Sequence, residues 1–501
     1  MSNIKTIKTF SGEKISYYDE IIGSGTMKDV YFTTDKKRVV AFYREPLNKS
    51  GLERIKMITG AYREGIFSDT HGAYWQNLFC WPTDIVFDGT LHGVVLPKYN
   101  EEYFFKYGSV NDDFLGIKNR EKEGKWFSVP TNRFTRLDKR EQGDWKNYLR
   151  ISLMIARSVR RMHAAGLAHS DLSYKNVLIS PSSGNACVID VDGLVVPGKF
   201  YPDVVGTPDF IAPEVVATAH LSKNDSKKIL PSRLTDRHAL AVLIYQYLFL
   251  RHPLRGRKIH DMNDPEKDEA LIMGEKALFI EHPFDNSNLT DPSMARTADK
   301  FWLDTKKLPY TIAGPYLSKL IKQAFVDALH HPEKRPTADD WEQALIKTID
   351  LIQPCENSGC LAKWYVFDNS KKPKCPFCNT AYKGKLPVIN FYSDRGHGRF
   401  MPDNHRLMIY KDQSIFPWHI NRTIIPNERL DPKHNSRIGY CIFHNNHWLF
   451  VNEKLTQLFD YSNQEDIKSI KIGDSIELKE GTKLLVKNEN SSRLLLVQLS
   501  N

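Results

Sequence analysis

"HSDLSYKN", residues 169–176, is the stretch on which the reading of this chain turns. Before it, "WKNYLRISLMIARSVRRMHAAG" places apolar residues three and four apart, the spacing of an amphipathic helix. The helix then stops at a polar cluster with a carboxylate, Asp171, and an amide, Asn176, in one loop. Downstream follow "VIDVDGL" at 188–194 and "GTPDFIAPE" at 206–214. Any one of these polar residues alone would pass for a loop carboxylate or a capping amide. Their order and spacing carry the meaning.

That order resembles the signature set of eukaryotic-type protein kinases: a glycine loop, HxDxxxxN, a following Asp, and Ala-Pro-Glu. "TDRHALAV" at 235–242 and "HPEKRPTADDW" at 331–341 resemble two later motifs of the same family. The resemblance covers roughly residues 15–350 and implies an α+β, bilobal kinase-like domain using ATP and Mg2+. Phosphoryl transfer leaves a protein mainly positioning and charge compensation to perform. By the resemblance, Asp171 accepts or orients the substrate hydroxyl proton, Asn176 holds one magnesium ion and Asp190 the other. Magnesium favours a few hard oxygens plus phosphate and water.

Several positions depart from the family pattern. Asp-Phe-Gly reads "DVDG", so either Asp190 or Asp192 is the metal aspartate; strand continuity from "ACVI" favours Asp190. Ser170 replaces the arginine that receives an activation-loop phosphate in phosphorylation-switched kinases. Between 191 and 213 the hydroxyls are Tyr201 and Thr207, the latter in a structural "GTP". An activation segment held without phosphate pairing is expected. Ser173 stands where a phosphate-contacting lysine is usual, and Lys175 is out of register by two. The helix glutamate is assigned to Glu64, with Glu53 as runner-up. The resemblance also pairs Glu214 with Arg335, structurally.

The glycine loop "GSGTMKDV", 23–30, supplies Gly23 and Gly25 but has Lys28 where a third glycine is usual. By the resemblance, "VVAFYRE" aligns Val40 and Ala41 with the first two positions of the family's V-A-I-K strand, making Ala41 a nucleotide-binding residue, and puts Tyr43 where the lysine belongs. Side chains alternate along a strand, so Lys28 shares a face with Val30, the adenine-packing position. Neighbouring strands lie about 4.7–4.9 Å apart, a gap that a lysine stem bridges. Lys28 is therefore expected to reach the phosphates and Glu64, an arrangement similar to that of the with-no-lysine kinases. Arg44 should face away.

The chain has 501 residues, 41% hydrophobic and 26% charged, enough for packed cores and several domains. Its net charge of +10 is mild for this length, so nucleic acid is not an expected partner. The N-terminus lacks the apolar core of a signal peptide, and "HALAVLIYQYLFL" at 238–250 is too short to span a bilayer. A cytoplasmic protein with no membrane contact is expected. Four of seven cysteines, Cys355, Cys360, Cys375 and Cys378, are spaced C-x4-C-x14-C-x2-C. That spacing suits a closed, structural zinc site.

The expected division is 1–352 kinase-like, 353–384 zinc ribbon and 385–501 a small all-β sandwich. "NSRIGYCIFHNNHWLFVNEKL" with "IKIGDSIELKEGTKLLV" resembles the later strands of a forkhead-associated module. Gly439 falls near the expected histidine and no earlier stretch reads convincingly as the Gly-Arg loop, so docking is favoured over phosphopeptide binding. The serine in place of the loop arginine, the "DVD" loop and the appended zinc ribbon resemble a bacterial kinase group. That group is associated with a PP2C-type phosphatase and a von Willebrand A protein, which implies those partners beside a Ser/Thr protein substrate. Two rivals remain: a pseudokinase acting as a nucleotide-sensing scaffold, supported by the missing strand lysine, and a small-molecule kinase of related fold.

Overall fold

In the computed structural model, residues 3–25, 27–196, 199–200, 206–222, 224–370, 372–396, 398–488 and 492–500 are described. Tyr201 lies outside them. The chain divides into two compact units. The first comprises Met1–Gly143, Asn147–Tyr310 and Lys319–Glu342; the second comprises Asp144–Lys146, Thr311–Ser318 and Gln343–Asn501.

The first unit begins with an antiparallel sheet of β1 (Ile4–Lys8), β2 (Lys14–Ser24), β3 (Lys28–Thr33), β4 (Arg38–Tyr43), β5 (Asp84–Asp88) and β6 (Leu91–Pro97). The strand order is β1-β2-β3-β4-β6-β5. Period-two alternation gives "RVVAFY" two buried faces. Val40 and Phe42 pack with Ile15, Tyr17, Val86 and Val95, while Ala41 and Tyr43 pack with Ile55, Ile85 and Val94. Gly93 allows β6 to run tight against β4, since a Cβ there would lie 2.9 Å from the Ala41 carbonyl oxygen.

Between β4 and β5 the expected helical stretch forms in pieces. Helix α1 (Lys49–Met57) starts at Asn48, whose side chain accepts from Gly51 N, an N-cap bond. A wide turn at Ile58–Tyr62, with Gly60 off the helical conformation, separates it from α2 (Arg63–Phe67).

Helix α3 (Trp145–Ala164) leads into the polar loop, followed by the hairpin β7 (Val177–Ser180) and β8 (Asn185–Val188). Helix α4 (Arg233–Phe249) carries the apolar run noted above and is buried over nearly its whole length. Its first turn is closed by a capping box between Ser232 and Thr235. Asp236, 1% exposed, accepts the backbone N–H groups of His169 and Ser170 at 2.8 and 3.1 Å and meets His163 Nε2 at 3.0 Å. The central helix thus holds the polar loop by its backbone.

In the second unit β9 (Ile352–Pro354) pairs antiparallel with β10 (Trp364–Val366). Beyond the cysteine window come β11 (Pro387–Asp394), β12 (Phe400–Met408), β13 (Ser414–Ile415), β14 (Gly439–His444) and β15 (His447–Asn452). They are followed by β16 (Leu458–Asp460), β17 (Lys468–Ser469), β18 (Ser475–Glu477), β19 (Lys483–Val486) and β20 (Arg493–Leu499). These make a six-stranded sheet, β12-β11-β20-β19-β16-β17, and a four-stranded sheet, β13-β14-β15-β18. The stretches "GYCIFH", "HWLFVN" and "KLLV" supply β14, β15 and β19. Mixed helix and sheet content is as expected, and no described helix is long and apolar enough to cross a membrane.

Candidate active site

The turn between β2 and β3 is closed by Gly25 N donating to Lys28 O at 2.9 Å. Gly23 stands opposite Val30, and Val30 opposite Ala41. Val30 and Leu96 pack against the buried cluster that contains Ala41. Leu96 also packs on a cluster of Cys80, Tyr103, Leu178 and Cys187. Leu96 thus joins the sheet cluster to the hairpin cluster.

Lys28 pairs directly across β3 and β4 with Tyr43. Its ammonium reaches Asp190 Oδ1 at 2.8 Å and both carboxylate oxygens of Asp192 at 2.8 Å. Tyr43 donates its hydroxyl to Asp192. Burial alone would lower the Lys28 pKa, but the charges of Asp192 and Asp190 outweigh it and raise the pKa above the lysine value. Burial would likewise raise Asp192, and the Lys28 charge and the bonds from Lys28 and Tyr43 lower it.

Glu64 is not brought to this site, which corrects the expectation for it. It lies exposed in α2, and among the described residues the carboxylate partners of Lys28 are Asp190 and Asp192. The α1 residue that lines the cavity with Lys28, Tyr43 and Asp192 is Arg54, 7% exposed. Glu64 lies beyond the wide turn at Ile58–Tyr62, in a separate short helix from Arg54. The runner-up Glu53 faces Lys199 at 3.6 Å. Arg44 turns away, pairing with Asp29 at 2.9 Å.

In the polar loop, Asn176 Nδ2 donates to the Asp171 carbonyl at 2.8 Å and to its Oδ2 at 2.9 Å. The amide nitrogen is thereby committed, and Asn176 Oδ1 is the atom left for a cation. Asp171 Oδ1 accepts from Thr207 N at 2.6 Å and from Thr207 Oγ1 at 2.8 Å. Ser173 Oγ lies 3.2 Å from Thr207 Oγ1. Ser170 and Asp190 have φ of 66° and 59°, a left-handed backbone that costs free energy in non-glycine residues and gathers at functional sites. His169 Nε2, 2.9 Å from the Ile189 carbonyl, ties the two loops together. The Asp190 side chain is 50% exposed, whereas that of Asp192 is 4% exposed. A half-exposed carboxylate beside a free amide oxygen is a donor set that fits magnesium.

Residues 130–345 match the family model of the protein kinase domain. Within them lie the polar loop, "DVDG", Ala-Pro-Glu and Arg335; the glycine loop and Lys28 lie outside. The serine/threonine-protein kinase PknD of Chlamydia abortus is 30% identical over 153 residues, 25% of this chain and 15% of that protein. The PknD of Chlamydia felis is 29% identical over 160 residues, 26% of this chain and 16% of its own length. Calcium-dependent protein kinase 6 of Oryza sativa subsp. japonica is 34% identical over 87 residues, 17% of this chain and 16% of the relative. The chain thus covers about a sixth of the length of these relatives. Residues 130–345 are thus similar to a protein kinase domain, and the relatives named here are themselves protein kinases.

In the second unit Cys355, Cys360, Cys375 and Cys378 converge, with all ligand atoms within 4.8 Å of one another. Cys355 and Cys378 sulfurs are 3.4 Å apart, and those of Cys360 and Cys375 3.8 Å. A tetrahedral centre with Zn–S near 2.3 Å sets neighbouring sulfurs about 3.8 Å apart. Asn379 N donates to Cys375 O at 2.8 Å, closing the "CPFC" turn that presents two thiols to one point. The cluster could hold a metal ion, and its all-sulfur donors suit zinc.

Proposed function

We propose that this protein transfers the γ-phosphoryl group of ATP to Ser or Thr of a protein substrate, with Lys28 as its phosphate-binding lysine. The observation that carries the reading is the meeting of Lys28 with Asp190 and Asp192, on the same cavity as Asp171. Gly23, Gly25, Val30 and Ala41 would cradle the nucleotide. Asn176 Oδ1 and Asp190 would hold Mg2+, which supplies charge neutralisation of the phosphates. Asp171 orients the incoming hydroxyl, and its carboxylate is itself fixed by Thr207 and Asn176. "GTPDFIAPE", a peptide platform by resemblance, favours a protein substrate over a small molecule. A PP2C-type phosphatase and a von Willebrand A protein are the partners proposed, and the cytoplasm the location.

Purified protein incubated with labelled ATP, Mg2+ and a generic protein acceptor should incorporate phosphate, and Asp171→Ala should not. A wild type as inert as Asp171→Ala, with nucleotide still bound, would instead establish the nucleotide-sensing scaffold.

We further propose that Cys355, Cys360, Cys375 and Cys378 bind one structural zinc ion in a ribbon spanning 353–384, ahead of a docking β-module at 385–501. A segment of this size has little core, and metal closure would stabilise it. Elemental analysis of protein purified without added metal should give about one zinc per chain. Less than about half an equivalent in folded protein would remove the four-thiolate site.

A further inference from the structure

Two aspartates two residues apart both touch Lys28, yet their surroundings differ. Asp192 is 3% exposed; Lys28 bonds both of its oxygens, and the Tyr43 hydroxyl adds a third bond. Asp190 receives one bond from Lys28 and keeps half of its side chain open to the cleft. A carboxylate offers about four acceptor positions, so Asp192 has little left for a metal ion, whereas Asp190 has several. Tyr43, at the usual lysine position, faces Asp192 because β3 and β4 pair it with Lys28. Glu64 is exposed and Glu53 pairs with Lys199, so no described acidic residue of α1 or α2 pairs with this ammonium.

We propose that Asp192, clamped by Tyr43, is the positioning residue that anchors Lys28, in the role otherwise given to a helix glutamate, and that Asp190 alone of the two binds the metal. This rests on the kinase reading above and deepens it. It places the lysine anchor on the metal-binding loop itself. Setting Lys28 then needs no movement of α1.

The test uses the full chain with Asp192→Asn, Asp190→Asn, Glu64→Gln and the double variant Lys28→Ala/Asp192→Asn, each checked for a cooperative melt. Asp192→Asn should lose about 30-fold in kcat while the Mg2+ concentration for half-maximal rate stays put. Asp190→Asn should raise that concentration at least about tenfold. Glu64→Gln should match wild type, and the double variant should be no slower than Lys28→Ala alone. A shifted Mg2+ requirement in Asp192→Asn, an additive double variant, or an equal loss in Glu64→Gln would overturn the assignment. Acetic anhydride labelling of Lys28, read by peptide mass spectrometry, needs no turnover. Lys28 should label slowly in wild type and several-fold faster in Asp192→Asn; equal rates would refute the anchor. An inert wild type that still shows this difference would overturn the kinase reading and leave the anchor standing. Should Asp192→Asn fail to fold, Tyr43→Phe carries the same labelling test, with a smaller increase expected.

Discussion

Lys28→Ala should lose at least about a hundredfold in phosphoryl transfer at saturating ATP, or about 2.7 kcal/mol of transition-state stabilisation. The loss should fall on kcat, because charge on the transferring group is greatest in the transition state. Lys28 is the cation whose ammonium meets both loop aspartates, and its side chain is 16% exposed. Removing it also leaves Asp192 buried beside Asp190 with no ammonium between two like charges. Arg44→Ala is the control. Arg44 sits one residue past β4, is exposed and pairs with Asp29 on the other side of the strand. An exposed pair of this kind is worth at most about 1 kcal/mol, so its removal should cost far less than tenfold. Turnover near wild type in Lys28→Ala would leave the site without its phosphate clamp.

Arg335→Ala should be the most damaging substitution away from the chemistry, at about 3–5 kcal/mol of stability. The guanidinium, 1% exposed, meets Glu214 through two parallel bonds of 2.8 and 2.7 Å, a fork geometry among the strongest ion pairs. It also donates to the carbonyls of Leu234 and Leu329 at 3.1 and 2.9 Å. Truncation strands the Glu214 carboxylate and both carbonyls together. A differential scanning trace should show the transition lowered by roughly 10 °C or more. Arg335→Met/Glu214→Leu should be less harmful than Arg335→Ala, since it removes the stranded charge. Equal melting of Arg335→Ala and wild type would make the pair ornamental.

The sequence was most readable where a single local rule decides the outcome. "RVVAFY" is a short apolar run and forms a strand with both faces buried; "WKNYLRISLMIARSVRRMHA" has helical spacing and forms α3. The spacing of the four cysteines foretold their convergence. By contrast, β1 escaped notice because "IKTIK" is exposed along nearly its full length and shows no alternation to read. The error over Glu64 has two causes. The stretch 51–67, "GLERIKMITGAYREGIF", reads in sequence as roughly one helix, whereas Gly60 breaks it and shifts the faces beyond. The α1 residue that lines the cavity is Arg54, an arginine and not a glutamate. The pairing of Lys28 with Asp192 is a tertiary contact across 164 positions, and no periodicity announces it.

In the proposed reaction, the carboxylate of Asp171 would set a stereochemical limit on the alcohol that it serves. One of its oxygens already accepts two bonds from Thr207 and the other accepts one from Asn176. Of about four acceptor positions on a carboxylate, three are filled by the chain itself. An incoming hydroxyl therefore has a single direction of approach, on the Oδ2 side, opposite the lone pair that Asn176 occupies. In that proposed role Asp171 would discriminate among hydroxyls by trajectory. An alcohol carried on a rigid or bulky carbon that cannot point its O–H along that one line would be held without being deprotonated.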